Sequence, residues 1–221
     1  MLELINISKR YKDKWVLKDI HMKLNEERCV GILGVNGSGK TTLLSILAGV
    51  LKPNSGKVMY SDADLLKNQT LRRKLIAYIP QKSPLIEELN ALDNLKLWYD
   101  KEELKKEISS GVISLLGVDE FLKKPVSALS MGMKKRLSIA CAVASKPKIL
   151  LMDEPSAYLD IICKADIHRY ISEHKRQGGS IILVSHDVGD FTVCDEHYVL
   201  KSGVLSPFEY KDNVDELIKK L

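Results

Sequence analysis

One glycine-rich loop, set between an apolar strand pattern and a helical one, constrains this chain more than any other feature. Residues 28–51 read "RCVGILGVNGSGKTTLLSILAGVL", a β-rich apolar run, then glycines, then leucines at helical spacing before the Pro/Gly turn "KPNSG". The loop fits G-x-x-x-x-G-K-S/T, with Gly34, Gly39, Lys40 and Thr41 at the required positions. Its glycines let the backbone close on an anion, and successive N–H groups and the dipole of the following helix face that anion. Lys40 is placed to reach the β/γ oxygens of a nucleotide and Thr41 to ligate magnesium, with Asn36, Gly37, Ser38 and Thr42 completing the cradle. Such a loop requires a parallel sheet behind it, because ligands in α/β sheets gather at the carboxyl ends of strands.

Further parallel strands are visible. "KILLMDEP" and "SIILVSHD" are apolar runs ending in polar chemistry, separated by the helix-like "CKADIHRYISEHKRQGG". "LIAYIPQ" is strand-like and ends at Gln81, and the opening residues alternate β-rich and charged segments, as short antiparallel strands do. From about residue 83 to 145 the spacing is helical with mixed charge, which predicts a helical insertion. A hydrophobic content of 45% in 221 residues fills a sizeable core, so residues 1–221 are expected to form a single domain with that insertion in its middle. At the end of "ILLMDEP", Asp153 would hold magnesium through water and Glu154 is placed to polarise an attacking water.

Together with "LSMGM" and "SAYLD", and in this order, these motifs resemble the nucleotide-binding subunit of ATP-binding cassette (ABC) transporters, from Leu2 to about Leu205. The resemblance implies an α/β P-loop NTPase (RecA-like) core with a mostly parallel sheet, an N-terminal antiparallel β-subdomain and an inserted α-helical subdomain. It implies ATP hydrolysis, with ATP and Mg²⁺ as the cofactors. Gln81 would touch the magnesium site and hinge the insertion, His186 would contact the γ-phosphate and position water, and Asp160 would belong to a loop crossing between subunits. Tyr11 matches an aromatic that stacks on adenine; Trp15 is its rival, and either could simply pack the β-subdomain. Ser130 can cap a helix starting near Met131, where Gly132 would let a phosphate approach the exposed N–H groups. In the family this loop serves the nucleotide of the opposite subunit, so two ATP molecules would be sandwiched between two chains.

The implied partners are a second ABC ATPase chain, identical or similar, and a separate transmembrane permease. The permease is expected to dock near Gln81, where "SPLIEELNALDNL" offers apolar contacts and the acids Glu87 and Glu88. The signature departs from L-S-G-G-Q at Met131 and Met133, a form that leans toward export, and Tyr158 is bulky where the family has a small residue.

The remaining composition narrows the alternatives. A net charge of +5 is spread among interleaved acids and bases, without the basic stripe of a nucleic-acid binder. A soluble ABC-type ATPase acting on DNA or ribosomes is the runner-up, but two joined cassettes and a long coiled-coil insertion are both missing. A small-molecule kinase would leave "LSMGM" and "VSHD" unexplained. The 4 cysteines form no C-x-x-C pair and read as small buried hydrophobes of a reducing compartment, with neither a zinc site nor a disulfide framework. No apolar run approaches the roughly 18 residues of a membrane span, and Met1 leads straight into a strand pattern rather than a signal peptide. The expected location is therefore cytoplasmic, peripheral on the inner face of a membrane. The end of the chain, "SPFEYKDNVDELIKKL", reads as a turn and one short helix.

Overall fold

The computed structural model describes residues 1–209, and the short helix expected at the end of the chain lies outside them. The chain opens with the antiparallel pair β1 (Leu2–Tyr11) and β2 (Lys14–Leu24), then enters the buried strand β3 (Cys29–Leu33) and helix α1 (Lys40–Ala48). β4 (Ser55–Tyr60) and the short β5 (Ala63–Asp64) join the first pair in a sheet ordered β2-β1-β4-β5. Helix α2 (Gln69–Leu75) leads to β6 (Ile76–Ile79). The inserted helices follow: α3 (Ala91–Leu95), α4 (Lys101–Ser110), α5 (Val112–Leu115) and α6 (Met131–Ala142). The chain then completes the core with β7 (Ile149–Asp153), α7 (Ile161–Arg176), β8 (Ser180–Ser185), β9 (Glu196–Lys201) and β10 (Val204–Pro207).

The second sheet runs β10-β9-β3-β8-β7-β6, parallel throughout except for the antiparallel edge strand β10. Its central strands are buried on both faces, which is why they read as unbroken apolar runs rather than alternating ones. Leu150 and Met152 of β7 pack with α6 and α7 in one core, whereas Ile149 and Leu151 pack on the other face with α1 and the antiparallel sheet. This two-sided packing fixes the carboxyl ends of β3, β6, β7 and β8 side by side along one edge.

Three local boundaries differ from the sequence pattern. Helix α1 stops at Ala48 because Gly49, at φ 75°, turns its N–H back onto Ile46 and Ser45. Residues 83–90, read as the start of the helical insertion, hold no helix. Instead the Asn94 side chain ties both the N–H and the carbonyl of Ile86, at 2.9 and 3.1 Å, and so satisfies that backbone locally. Helix α7 begins at Ile161, earlier than its apolar pattern, because Asp160 accepts from the Cys163 N–H at 2.9 Å as the N-cap.

Candidate active site

The phosphate loop follows β3 as expected. Gly39 adopts φ 111°, which an L side chain disfavours, and stands as the cap of α1 with no side-chain hydrogen bond to close the helix end. The first N–H groups of α1 are thus left to an anion, and no acid sits in the first turn to repel one. Lys40 is 6% exposed. Its ammonium donates to the Gly34 carbonyl at 2.7 Å and lies 3.5 Å from Glu154 Oε1.

Glu154 follows β7 in a left-handed backbone conformation, φ 48°. Its N–H is fixed on the Val184 carbonyl at 2.9 Å, which attaches it to the neighbouring strand. Oε2 receives the His186 ring Nδ1 at 2.7 Å, the His186 main-chain N–H at 3.2 Å and the Ser185 hydroxyl at 3.3 Å. The carboxylate therefore sits between the phosphate-loop lysine and the half-exposed His186, in reach of both.

Asp153, one residue earlier, is 1% exposed. Its Oδ2 accepts from the Tyr78 hydroxyl at 3.2 Å, and its Oδ1 has no hydrogen-bond partner among the described residues. Burial pushes the pKa of its carboxyl up, opposed by the neighbouring Thr41 and Tyr78 hydroxyls. A buried carboxylate oxygen left over beside a threonine hydroxyl is the oxygen-only donor set that suits Mg²⁺, which takes few protein ligands and leaves the rest to phosphate and water. No cluster of three or more His, Cys, Asp or Glu that could hold a metal occurs among the described residues.

A cavity of about 290 Å³ brings these parts together. Asn36, Gly37, Gly39, Lys40, Thr41 and Thr42 form its floor, Glu154 and Gln81 one wall, and Tyr11 with Val16 the rim. Tyr11 therefore borders the same cavity as the phosphate loop. Trp15 lies in an adjoining cavity, which shares Val16, Asn36 and Gly37 with this one and is also lined by Lys14, Lys18 and Lys201. Gly34 and Ser38 support the floor from behind: a Cβ on Gly34 would stand 2.5 Å from Ser38 Oγ and 2.8 Å from the Leu200 carbonyl.

Ser130, Gly132 and Asp160 do not line this cavity. Ser130 caps α6 as expected, accepting from Met133 N–H at 3.2 Å. Gly132 is buried, and a Cβ there would stand 2.4 Å from Cys163 Sγ, so its smallness lets α6 approach the start of α7. Asp160 is exposed at the N-cap of α7, and the backbone N–H of Cys163 holds its carboxyl below the usual range. Beside it Tyr158, Ile161 and Ile162 are 81%, 83% and 70% exposed.

Some contributors carried no motif. Lys135 of α6 is 5% exposed and donates to the carbonyls of Pro80 and Gln81 at 2.8 and 2.9 Å. Burial lowers its ammonium to about 8, against the attraction of Asp153 and Glu154. Ser185 and Asp190 stand behind Glu154; the position of Ser185 directly before His186 was the one available signal. Cys29 and Cys194, read as scattered, have their sulfurs 3.4 Å apart because β3 and β9 are neighbours.

A family model described as ABC transporter matches residues 17–157. The spermidine/putrescine import ATP-binding protein PotA of Mesoplasma florum is 35% identical over 209 residues, covering 92% of this chain, and the chain spans only 59% of the length of that relative. The lipopolysaccharide export system ATP-binding protein LptB of Haemophilus influenzae is 29% identical over 226 residues, covering 98% of this chain and 94% of that one. A dimeric structure of an ATP-binding cassette in a post-hydrolysis state, bound to ADP and Pi, superposes with a TM-score of 0.84 at 26% identity, covering 96% of this chain and all of that one.

Proposed function

The chain belongs to the ABC transporter family, and from that premise we propose that it is an ATP-hydrolysing subunit, one ABC-type domain with its helical subdomain within residues 83–145. It works with a second such chain on a permease supplied as a separate polypeptide. The observation that carries this reading is the single cavity in which the phosphate loop, Glu154, Gln81 and Tyr11 meet. Tyr11 stacks on the base; the loop N–H groups and Lys40 hold the phosphates. Thr41, Asp153 and Gln81 hold Mg²⁺, which when bound neutralises charge on the β- and γ-phosphates. Glu154, fixed by His186 and Ser185, accepts the proton of the water that attacks the γ-phosphorus. His186 passes between Glu154 and the γ-phosphate oxygens, a role that suits its half-exposed position.

Ser130 and the start of α6 lie outside the lining of this cavity, which supports their use on the nucleotide of a second chain, two ATP molecules being shared across the pair. The exposed apolar group Tyr158, Ile161 and Ile162 beside Asp160 supports burial of that face against another chain. Hydrolysis then removes the phosphate that bridges the chains and the pair opens. Among the described residues no helix is long and apolar enough to cross a membrane, so the permease supplies the membrane path and holds this chain at the cytoplasmic face. Export is proposed as the direction on the L-S-M-G-M form alone; the relatives named above include one importer and one exporter.

The test is ATP-dependent association of Glu154→Gln followed by light scattering, with Ser130→Arg as control, with and without magnesium. Trapping of a two-chain species by ATP, abolished by Ser130→Arg, is the expected result. A protein that binds ATP and stays monomeric at all concentrations refutes self-pairing through this loop.

A further inference from the structure

Behind Glu154 lies a buried carboxylate to which the chemistry above gives no part. Asp190, 1% exposed, belongs to the 3-10 turn Val188–Val193. Its Oδ2 accepts the Ser185 hydroxyl at 2.7 Å, and its Oδ1 accepts the Ser156 hydroxyl and the His168 ring Nε2, the latter at 3.0 Å. These donors come from the end of β8, the loop after β7 and helix α7, so one side chain fastens three segments.

The loop holding Ser156 is one of the places where the backbone is strained. Glu154 and Tyr158 both occupy the left-handed region, at φ 48° and 63°, and neither is a glycine. Such conformations persist only where surrounding contacts over-determine them. Ser156 lies midway between the two, completely buried, and Asp190 is the acceptor that fixes its hydroxyl. Ser185 makes the second connection. Its oxygen stands 2.7 Å from Asp190 and 3.3 Å from Glu154 Oε2, and it accepts the Asp187 N–H at 2.9 Å. Ser185 thus stands between two carboxylates and its one proton is shared between them, the shorter contact being to Asp190. Ser185 is thereby held against Glu154 by a group that itself lies one shell behind.

We propose that Asp190 is a positioning residue for ATP hydrolysis: by holding Ser156 and Ser185 together it keeps Glu154 in its strained, water-facing geometry. The inference rests on the assignment of Glu154 given above. Asp190→Asn keeps the shape but offers a single carbonyl oxygen to these donors and adds an N–H₂ that faces one of them. The expected result is a kcat per folded molecule at least tenfold lower with KM for ATP within about twofold, because no group lining the nucleotide cavity is altered, alongside a lowered melting temperature from the lost buried hydrogen bonds. His168→Gln, which can still donate, should stay within about twofold of wild type, while His168→Leu loses at least threefold in kcat.

Wild-type kcat in Asp190→Asn overturns the proposal, as does a variant whose melting temperature falls while its rate per folded molecule holds. Should Asp190→Asn fail to fold, the His168 pair decides, equal kcat in Gln and Leu being the overturning result. A wild-type chain that binds ATP yet hydrolyses none refutes the role of Glu154 itself, and the positioning role with it.

Discussion

Gly132→Ala tests what the signature glycine is for. A methyl group there would stand 2.4 Å from Cys163 Sγ and 3.1 Å from Cys163 Cβ, with Leu159 at an ordinary 3.8 Å. The first distance is far inside van der Waals contact, and both neighbours belong to the buried packing of α6 on α7. Overpacking of this kind costs about 1–3 kcal/mol, offset by at most ~1 kcal/mol from the better helix propensity of alanine. The net destabilisation is then about 1–2 kcal/mol, read as a lowered urea midpoint at unchanged slope. The decisive step is the double variant. Cys163→Ala removes the sulfur and leaves only the 3.1 Å contact, so adding Gly132→Ala to that background should change stability by less than about 0.5 kcal/mol. A coupling of roughly 1–2 kcal/mol between the two positions follows. Additive effects, or an alanine that stabilises the wild-type background, would refute the packing argument and return Gly132 to a role at the phosphate alone.

Two further outcomes can be stated now. Tyr11→Ala should weaken ATP binding by about 5- to 100-fold, the range for losing one base–aromatic stack, whereas Trp15→Ala should stay within about twofold because Trp15 lines the neighbouring cavity; equal losses in a nucleotide titration would contradict this. His174, 8% exposed, is pushed down to about 4 by burial. The folded chain therefore keeps it neutral where the unfolded chain, near 6.5, already binds a proton. Stability should fall by about 3 kcal/mol as pH drops from 6.5 to 4, and His174→Leu should flatten that slope in urea titrations; identical pH slopes would count against it.

The parts of the site visible in the sequence are those whose chemistry is local. Asn36 to Thr42 share a loop whose spacing alone states its purpose, and Ser130 announces a helix start that the structure supplies at Met131. The apolar runs before Asp153 and His186 were readable as strands because both faces are covered. Neighbour order in a parallel sheet leaves no trace in spacing. Nothing in the chain says that β3 lies between β8 and β9, and so the meeting of Cys29 with Cys194 and of Ser156 with Asp190 was hidden. The packing of Gly132 on Cys163 was hidden for the same reason, since Cys163 lies a strand and a loop further on. Residues 83–90 failed differently: their helical spacing is overridden by the hydrogen bonds of one asparagine, Asn94.

The Lys135 ammonium has a mechanical consequence. It is the rivet between α6 and the Pro80–Gln81 turn, gripping two adjacent carbonyls from a position with almost no solvent. Any displacement of Gln81 on nucleotide binding would therefore be passed to α6, whose first residue follows the Ser130 cap. In the two-chain arrangement proposed above, occupancy of one cavity would then be reported to the other as a movement of the Ser130 cap.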